Sequence, residues 1–313
     1  MSDMTSELRS PSARCALRLH GRVCLVTGAT DGHGRAVARG LARQGADVVL
    51  LGRSPEKCRR VQAEIAGETG KSPEVLLCDL ASREAIDRAA SEYLASGRPL
   101  HVLVNNAGLV SQTRQQNAEG IELTFAVNYL ALYQLTLRLL PRLIENVPAR
   151  IVNVSSDTYR IASLDFADLQ LERGYSFMRA YARSKLAIVV FTLELARRLE
   201  GRGITVNAVD PGPVASNIGA NNPGLAYRLV SPIIRRLFPS PDRAARTALM
   251  LATDPSLEGA TGGYYRSGRK QERALAFDAE VSERLWRTSA ELTRVDLQVL
   301  APGRGPRGSG SRS

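Results

Sequence analysis

The sequence predicts an α/β fold, namely a single Rossmann-type doubly wound domain with about seven parallel strands and helices on both faces of the sheet. Short β-branched or leucine-rich runs alternate along the chain with longer helical segments, which is the pattern of βαβ units. This alternation is typical of a parallel sheet that helices cover on both faces. No linker rich in Pro, Gly or Ser interrupts residues 21–270, so we expect one domain.

The predicted strands are the apolar runs at residues 22–27, 47–52, 74–78, 101–105, 150–155, 205–209 and 263–266. Helices fill the intervals between them. We interpret residues 1–20 as a flexible N-terminal arm, residues 21–300 as the Rossmann-fold domain, and residues 301–313 as a disordered tail of Arg, Gly and Ser.

The composition is that of a globular protein, with 313 residues and 44% hydrophobic content. The net charge of +11 does not indicate nucleic-acid binding, because nearly half of the excess lies in the two ends and no basic stripe is interleaved with aromatic residues. No apolar run approaches the roughly 18 to 20 residues of a membrane-spanning helix. We expect a cytoplasmic protein with no transmembrane segment and no specific nucleic-acid partner.

The cysteines are Cys15, Cys24, Cys58 and Cys78, and none of them forms a CxxC pair. Cys24 and Cys78 lie inside apolar runs. Buried reduced thiols fit this pattern better than disulfides or a metal site, so we expect no metal.

Tyr181 and Lys185 lie four residues apart in YARSKLA, a spacing that places a phenol and an ammonium group on one helix face. A nearby positive charge lowers the pKa of a phenol and makes it usable for proton transfer at neutral pH. An ordinary amphipathic helix has the same spacing, so the pair gains its meaning from the motifs around it.

A glycine-rich turn follows the first predicted strand in VCLVTGATDGHGRAVARG. Gly28, Gly32 and Gly34 allow a sharp turn from strand to helix in which the backbone stays close to a ligand. The N-terminus of the following helix offers free N–H groups to a pyrophosphate. The turn predicts a dinucleotide cofactor, and a purely structural turn is the alternative.

The second predicted strand ends at Gly52 and is followed by Arg53, where NAD-dependent proteins usually carry a carboxylate for the ribose hydroxyls. A guanidinium group can instead pair with the 2′-phosphate of NADP(H) through two N–H groups. We expect NADPH/NADP+ rather than NADH, unless Arg53 only lies on the surface.

Seven motifs in order resemble the short-chain dehydrogenase/reductase family over almost all of residues 20–270. They are TGATDGHG, LCDL at Asp79, NNAG at residues 105–108, FAVNYLALYQLT, IVNVSS, YARSK and DPGPV. Within the family the chain is most similar to the retinol dehydrogenase-like branch, as judged from NAEGIELTFAVNYLALYQLTLRLLPRL and from SPDRAARTALMLATDPSLEGATGGYYRSGRK.

The resemblance implies four catalytic residues. Tyr181 would exchange a proton with the carbonyl or alcohol, and Lys185 would lower the pKa of Tyr181 and hold the nicotinamide ribose. Ser156 would hydrogen-bond the reacting oxygen. Asn128 would anchor a water molecule that links Lys185 to solvent, although it could also be a satisfied interior amide.

The resemblance also implies cofactor-binding residues at the glycine turn and at the strand ends. Asp79 would contact the adenine or only cap a helix, and the backbone from Pro211 to Val214 would meet the carboxamide or only form a turn. The full set is Gly28, Thr30, Asp31, Gly32, His33, Gly34, Arg53, Asp79, Leu80, Asn106, Ala107, Gly108, Tyr181, Lys185, Pro211, Gly212, Val214 and Ser216.

Two loops are candidates for the substrate pocket. The segment between Ser156 and Tyr181 is longer than in compact family members and can form one wall. Residues 215–241 are apolar, have prolines at both ends and resemble a lid, which indicates a hydrophobic ketone, aldehyde or secondary alcohol. The arginines of this second loop would bind an acidic substrate or only solvate a helix face; they are Arg228, Arg235 and Arg236.

His33 stands in the glycine turn where the family usually has an aliphatic residue. It would add a pH-dependent contact there or simply be tolerated.

The sequence therefore predicts an NADP(H)-dependent oxidoreductase that interconverts a carbonyl and an alcohol on a hydrophobic small molecule. One alternative is a protein that keeps the cofactor site as a sensor or partner-binding platform without turnover. Another is a light-dependent reductase resembling protochlorophyllide reductase. The resemblance also implies a homodimer or homotetramer, formed through the two long helices that carry Asn128 and Lys185.

Overall fold

The computed structural model describes residues 19–212, 239–272 and 277–300. Its centre is an eight-stranded sheet with the order β3-β2-β1-β4-β5-β6-β7-β8. All neighbours from β3 to β7 are parallel, whereas β8 pairs antiparallel with β7. The strands are β1 (Val23–Thr27), β2 (Asp47–Gly52), β3 (Glu74–Leu77), β4 (Val102–Asn105), β5 (Ala149–Val154), β6 (Ile204–Asp210), β7 (Tyr264–Arg266) and β8 (Arg269–Lys270).

The predicted Rossmann-type fold is confirmed, and each predicted strand is present with its ends shifted by one residue at most. Only β8 was not predicted. Its two residues, Arg269 and Lys270, are exposed at the sheet edge, and a pair of charged residues carries no apolar pattern that would indicate a strand.

Seven helices are described: α1 (Gly32–Arg43), α2 (Pro55–Thr69), α3 (Arg83–Ala95), α4 (Leu123–Glu145), α5 (Phe177–Arg198), α6 (Pro241–Thr253) and α7 (Ala279–Thr293). A π-helical turn, Ala126–Leu130, interrupts α4. Short polar side chains start the first three helices, since Asp31, Ser54 and Ser82 each accept a backbone N–H of the first turn.

The helices cover both faces of the sheet and give two apolar cores. One core contains α1, α2 and α6, and the other contains α3, α4, α5 and α7. The strand order reverses direction between β1 and β4, and in such sheets a crevice opens at the carboxyl ends of these two strands. The glycine turn after β1 and the NNAG loop after β4 therefore meet at this crevice.

The chain itself encloses α4 and α5. No residue is exposed at positions 123–140 or 180–196, and α7 covers the outer side of both helices. The Tyr129 hydroxyl lies 2.7 Å from the Ser289 hydroxyl, and Trp286 stacks on Phe191 with ring centres 5.6 Å apart. The middle of both helices is therefore covered within one chain, and the subunit contact through these helices stays a prediction.

In the described part of the chain, only α4 is long and apolar enough to cross a membrane, and 83% of its apolar window is buried inside the protein. That burial is typical of a core helix. Cys24, Cys58 and Cys78 are buried free thiols, as expected, and Cys15 lies outside the described residues.

Candidate active site

Helix α5 brings Tyr181 and Lys185 to the carboxyl end of the sheet. The Lys185 ammonium nitrogen lies 5.4 Å from the centre of the Tyr181 ring and donates a 3.0 Å hydrogen bond to the carbonyl of Val154, the last residue of β5. The Lys185 side chain is buried. The helical spacing thus places the two groups beside each other, as the sequence predicts.

Ser156 follows β5 and joins the same group. Its backbone is extended, and its hydroxyl accepts from the amide of Thr158 at 3.4 Å, which starts the 3₁₀ turn Asp157–Ile161. The Ser156 side chain also interacts with the Tyr181 phenol and so lowers the pKa of that phenol. Two residues that are 25 positions apart in sequence therefore face each other.

Burial sets the protonation of this pair. The pKa of Tyr181 is raised to about 12, because burial raises it, the Ser156 side chain partly opposes this and the carboxylate of Asp210 adds to the rise. Burial also lowers the pKa of Lys185 to about 8, which the charge of Asp210 opposes. Burial is the largest of these effects on the phenol, because it disfavours the charged phenolate. That Lys185 lowers the pKa of Tyr181 stays a prediction.

Asn128 lies in the π-helical turn of α4, a distortion that is frequent at functional sites. Its amide nitrogen donates to the carbonyl of Leu109 at 3.0 Å and to the Ser184 hydroxyl at 3.1 Å, and its oxygen accepts from the Leu109 amide at 2.7 Å. The side chain is thus a satisfied interior amide that fixes the chain next to Gly108, and its role in anchoring a water molecule stays a prediction.

The glycine turn is as tight as predicted. Gly28 and Gly32 have φ values of +64° and +47°, which favour glycine. A Cβ on Gly34 would come within 2.3 Å of the Gly28 carbonyl oxygen. Thr30 lies against Gly52 at the end of β2, and Asp31 caps α1 by accepting from the amide of Gly32 at 2.8 Å. The backbone of β1 and the N-terminus of α1 therefore lie close to the crevice.

Thr27 is a residue that the sequence analysis missed. Its hydroxyl accepts from the amides of Asn106 and Ala107 at 2.9 and 3.0 Å, and the Asn106 side chain donates to the Thr27 carbonyl at 2.9 Å. Thr27 thus joins the glycine turn to the NNAG loop. The only signal was a hydroxyl residue at the end of an otherwise apolar strand.

His33 is a buried part of the same junction. Its Nδ1 lies 2.8 Å from Asn106 Oδ1, and burial lowers the pKa of the imidazole despite this contact and an interaction with the Ala244 backbone. Its Nε2 makes no hydrogen bond of good geometry, so the Ala244 contact is a weak one. A neutral His33 steadies the Asn106 amide.

Arg53 and Asp79 lie at the same end of neighbouring strands, because Gly52 pairs with Leu77 and its carbonyl accepts from the amide of Cys78. Arg53 is exposed and forms no ion pair with any described residue. Asp79 accepts from the amide of Ala81 at 3.0 Å.

The residue that caps α3 is Ser82, so the interpretation of Asp79 as the helix cap is wrong. Leu80 packs beside Ala107 and Val127. Arg53, Asp79 and Leu80 therefore border the crevice on the side of β2 and β3.

Pro211 and Gly212 follow β6, and the amide of Gly212 donates to Asp210 Oδ1 at 2.8 Å. Pro211 and Gly212 thus form a local turn, and their contact with the nicotinamide carboxamide stays a prediction. Val214 and Ser216 lie outside the described residues, as do residues 215–238 of the predicted lid. Those positions include Arg228, Arg235 and Arg236.

The predicted wall between Ser156 and Tyr181 is anchored at several points. The Tyr175 hydroxyl donates to the Ser111 carbonyl at 2.7 Å, and the Gln170 side chain accepts from the amide of Glu122 at 3.0 Å. Arg114 donates to the Gln170 carbonyl at 3.3 Å. These contacts tie the segment to the chain before α4, so it forms a fixed side of the crevice.

The crevice fits a dinucleotide. Glycine holds the backbone close where a Cβ would overlap, the first turn of α1 points N–H groups outward, and the exposed Arg53 supplies a positive charge. Lys185 and Tyr181 lie at the opposite end from Arg53, beyond β4. A bound dinucleotide would therefore place its two halves against chemically different groups.

Comparison with known proteins gives consistent matches along the chain. The profile of the family described as short chain dehydrogenase matches residues 22–223. Polyprenol dehydrogenase of Homo sapiens is 39% identical over 284 residues, which cover 88% of this chain and 86% of that protein. Retinol dehydrogenase 13 of Mus musculus is 37% identical over 293 residues, which cover 91% and 87%.

A structure that was solved with a bound cofactor also matches this chain. It is a short chain dehydrogenase of Escherichia coli CFT073 complexed with NADPH, with a TM-score of 0.66 and 28% sequence identity. The match covers 81% of this chain and 99% of that chain.

Proposed function

The chain belongs to the short-chain dehydrogenase/reductase family, in its retinol dehydrogenase-like branch, and on that premise we propose that it is an NADP(H)-dependent carbonyl reductase. It is an oxidoreductase that acts on CH–OH groups. The proposed reaction interconverts an aldehyde or ketone and the corresponding alcohol on a hydrophobic small molecule.

The observation that carries this proposal is the meeting of Ser156, Tyr181 and Lys185 at one end of the crevice. The Ser156 side chain interacts with the phenol of Tyr181, and Lys185 lies beside the same ring. A hydroxyl, a phenol and an amine in this arrangement can bind a carbonyl oxygen and deliver a proton to it. A non-catalytic sensor has no need of the complete group.

The mechanism follows from the protonation of the pair. With a pKa raised to about 12, Tyr181 is protonated in neutral solution and can donate its proton to the carbonyl oxygen. Ser156 holds that oxygen near the phenol, and the Lys185 ammonium group stabilises the phenolate that results. The bound nicotinamide supplies the hydride. The Asn128 side chain holds the backbone of Leu109, next to Gly108, and the hydroxyl of Ser184, next to Lys185.

We propose NADPH as the cofactor because Arg53 offers a free guanidinium group where the adenosine ribose would lie. The E. coli relative was solved with NADPH, which supports the same choice. His33 and Thr27 would act by holding the Asn106 loop against the glycine turn.

An apolar substrate fits the side of the crevice that the structure describes. Ile161, Phe177 and Met178 are large hydrophobic residues that remain exposed, at 74%, 41% and 42%, and they flank Ser156 and Tyr181 in sequence. The relatives named for retinol and polyprenol suggest long isoprenoid alcohols and aldehydes as the first compounds to test.

Steady-state kinetics in the dark tests the proposal. Wild-type protein should oxidise NADPH in the presence of apolar aldehydes, and kcat/KM with NADH should be at least about tenfold lower. Arg53→Ala should remove most of this preference without affecting NADH turnover. Equal use of both cofactors by the wild type would refute the NADPH assignment, and turnover only under illumination would indicate the light-dependent class.

A further inference from the structure

A buried acidic residue, Asp210, lies behind the proposed acid–base pair. It ends β6 and is only 4% exposed. Val209 pairs with Val154 across the two central strands, and the carbonyl of Val154 accepts the hydrogen bond from Lys185. Asp210 is therefore the residue after the β6 partner of Val154, whose carbonyl holds the Lys185 ammonium group.

Asp210 is held from two sides. Its Oδ1 accepts from the amide of Gly212 at 2.8 Å, and its Oδ2 lies 3.5 Å from Arg266 Nε. The same guanidinium group also binds the carboxylate of Asp157, which follows Ser156. Asp157 accepts in addition from the Tyr264 hydroxyl at 2.9 Å. Arg266 thus connects β7 to the loops that carry Ser156 and Gly212.

The pairing leaves Asp210 incompletely neutralised. Arg266 is shared with Asp157, its contact with Asp210 is longer than a normal hydrogen bond, and its own side chain is 46% exposed. A carboxylate buried near one shared cation keeps a negative field toward its interior side. Lys185 is held at the Val154 carbonyl, beside Val209 in the sheet, and Tyr181 lies next to it. The charge of Asp210 raises the pKa of both groups.

We propose that Asp210 is a positioning residue for the Tyr181 and Lys185 pair: its buried carboxylate, clamped by Arg266 and Gly212, supplies a fixed negative charge that keeps the Lys185 ammonium protonated. The catalytic importance of this charge rests on the proposed function, whereas its electrostatic effect on Lys185 does not. The ionisable groups around the pair are Tyr181 and Lys185 on α5, Asp210 on β6, Asp157 after β5, Tyr264 and Arg266 on β7, and His33 on α1.

The charge of Asp210 should raise the pH at which Lys185 loses its proton. Burial alone pushes Lys185 toward its neutral form, and Asp210 opposes this. Asp210→Asn keeps an oxygen for the Gly212 amide but removes the charge, so Lys185 should lose its proton at a lower pH. A neutral Lys185 would no longer stabilise the phenolate of Tyr181. The activity of the variant should then decline at a lower pH than that of the wild type.

The test is the titration of Lys185 by NMR with ¹³C-labelled lysine. The chain has only four lysines, Lys57, Lys71, Lys185 and Lys270, and Lys185→Arg assigns the signal. In the wild type the Lys185 signal should titrate near pH 8. In Asp210→Asn it should titrate at least about one pH unit lower. Asp157→Asn is the matched control and should give less than about half of that shift.

A second variant keeps the test decisive if Asp210→Asn does not fold. Arg266→Met removes a half-exposed cation and should move the Lys185 titration upward. An unchanged titration in Asp210→Asn, or a downward shift in Arg266→Met, would overturn the proposal. NMR reads the charge of Lys185 without turnover, so an inactive wild type would refute the proposed function and leave this result interpretable. If the protein is active, the pH at which kcat/KM declines should shift in each variant in the same direction as the Lys185 titration.

Discussion

At the scale of single residues, burial governs the proposed acid–base pair more than mutual attraction does. Burial raises the pKa of Tyr181 to about 12 and lowers that of Lys185 to about 8. Near pH 7 both groups therefore carry their protons. A protonated phenol beside an ammonium group is the form that donates to a carbonyl oxygen, so the pair is prepared for reduction in neutral solution.

The pH dependence of reduction should report Lys185. Its pKa in the folded protein is about 8, so the ammonium form dominates below this pH and is lost above it. We expect kcat/KM for aldehyde reduction to be level between pH 6 and 7 and to fall as pH rises through about 8. The Lys185→Arg variant, which stays charged, should have a lower kcat/KM but should not show this decline near pH 8. A profile that rises through pH 8 in the wild type would contradict the assignment.

Thr27→Val tests the contact between the glycine turn and the NNAG loop. The change keeps the side-chain shape but leaves the amides of Asn106 and Ala107 without their acceptor. We expect a loss of about 1 to 3 kcal/mol in unfolding free energy and weaker NADPH binding. Thr27→Ser retains the hydroxyl and should lose less of both. Urea denaturation and fluorescence titration measure the two effects, and a Thr27→Val protein with wild-type values would rule out the role of Thr27.

At the scale of elements, the turn from β1 into α1 sets the shape of the crevice. The backbone around Gly28 and Gly34 is packed so closely against Asn106 and Ala107 that side chains do not fit. The two loops therefore form one rigid edge, with the N-terminus of α1 open beside it.

Two glycine substitutions test this edge. A Cβ at Gly34 would lie 2.2 Å from Asn106 Nδ2, whereas a Cβ at Gly67 in α2 would meet nothing within 4 Å. Gly34→Ala should lower stability by about 1 to 3 kcal/mol and raise the Kd for NADPH at least about tenfold. Gly67→Ala should be stabilising by about 0.5 to 1 kcal/mol with unchanged NADPH binding. Thermal denaturation and NADPH titration compare them, and tight binding by Gly34→Ala would contradict the close-approach argument.

The elements and the i, i+4 placement of Tyr181 and Lys185 could be predicted from the sequence, because apolar runs and helical spacing are local properties. The contact of Thr27 with the NNAG loop could not, and neither could the contact of Asp210 with Arg266. Each joins residues that are far apart in sequence and meet only through the tertiary fold. The pKa of Tyr181 was also beyond prediction, since its direction depends on how deeply the phenol is buried.

At the scale of the whole molecule, α7 closes the protein over its two central helices. Trp286 stacks on Phe191, its backbone carbonyl accepts from the Tyr133 hydroxyl at 3.1 Å, and the Arg198 guanidinium lies 4.3 Å from the Trp286 ring centre. These contacts cover the middle of α4 and α5 within one chain, while the N-terminal turn of α5 stays exposed at Phe177 and Met178. A homodimer through the two helices would have to use their exposed ends or displace α7.

Trp286→Ala tests the closure. Removing the ring should lower the unfolding free energy by about 3 to 5 kcal/mol, and Trp286→Phe, which keeps a stacked ring, should lose less. Light scattering after size-exclusion chromatography shows whether the weakened variant begins to associate through the uncovered helices. A Trp286→Ala protein as stable as the wild type would show that α7 does not hold this face.

The central claim is that Tyr181 supports hydride transfer from NADPH to an apolar carbonyl. The most direct measurement uses NADPH carrying deuterium at both C4 positions, an apolar aldehyde and mass spectrometry of the product. Wild-type protein should form an alcohol with one deuterium on the former carbonyl carbon. Tyr181→Phe should bind NADPH normally but transfer deuterium at least about 100-fold more slowly. Deuterium transfer at the wild-type rate by Tyr181→Phe, or none by the wild type across a panel of apolar aldehydes and ketones, would contradict the account.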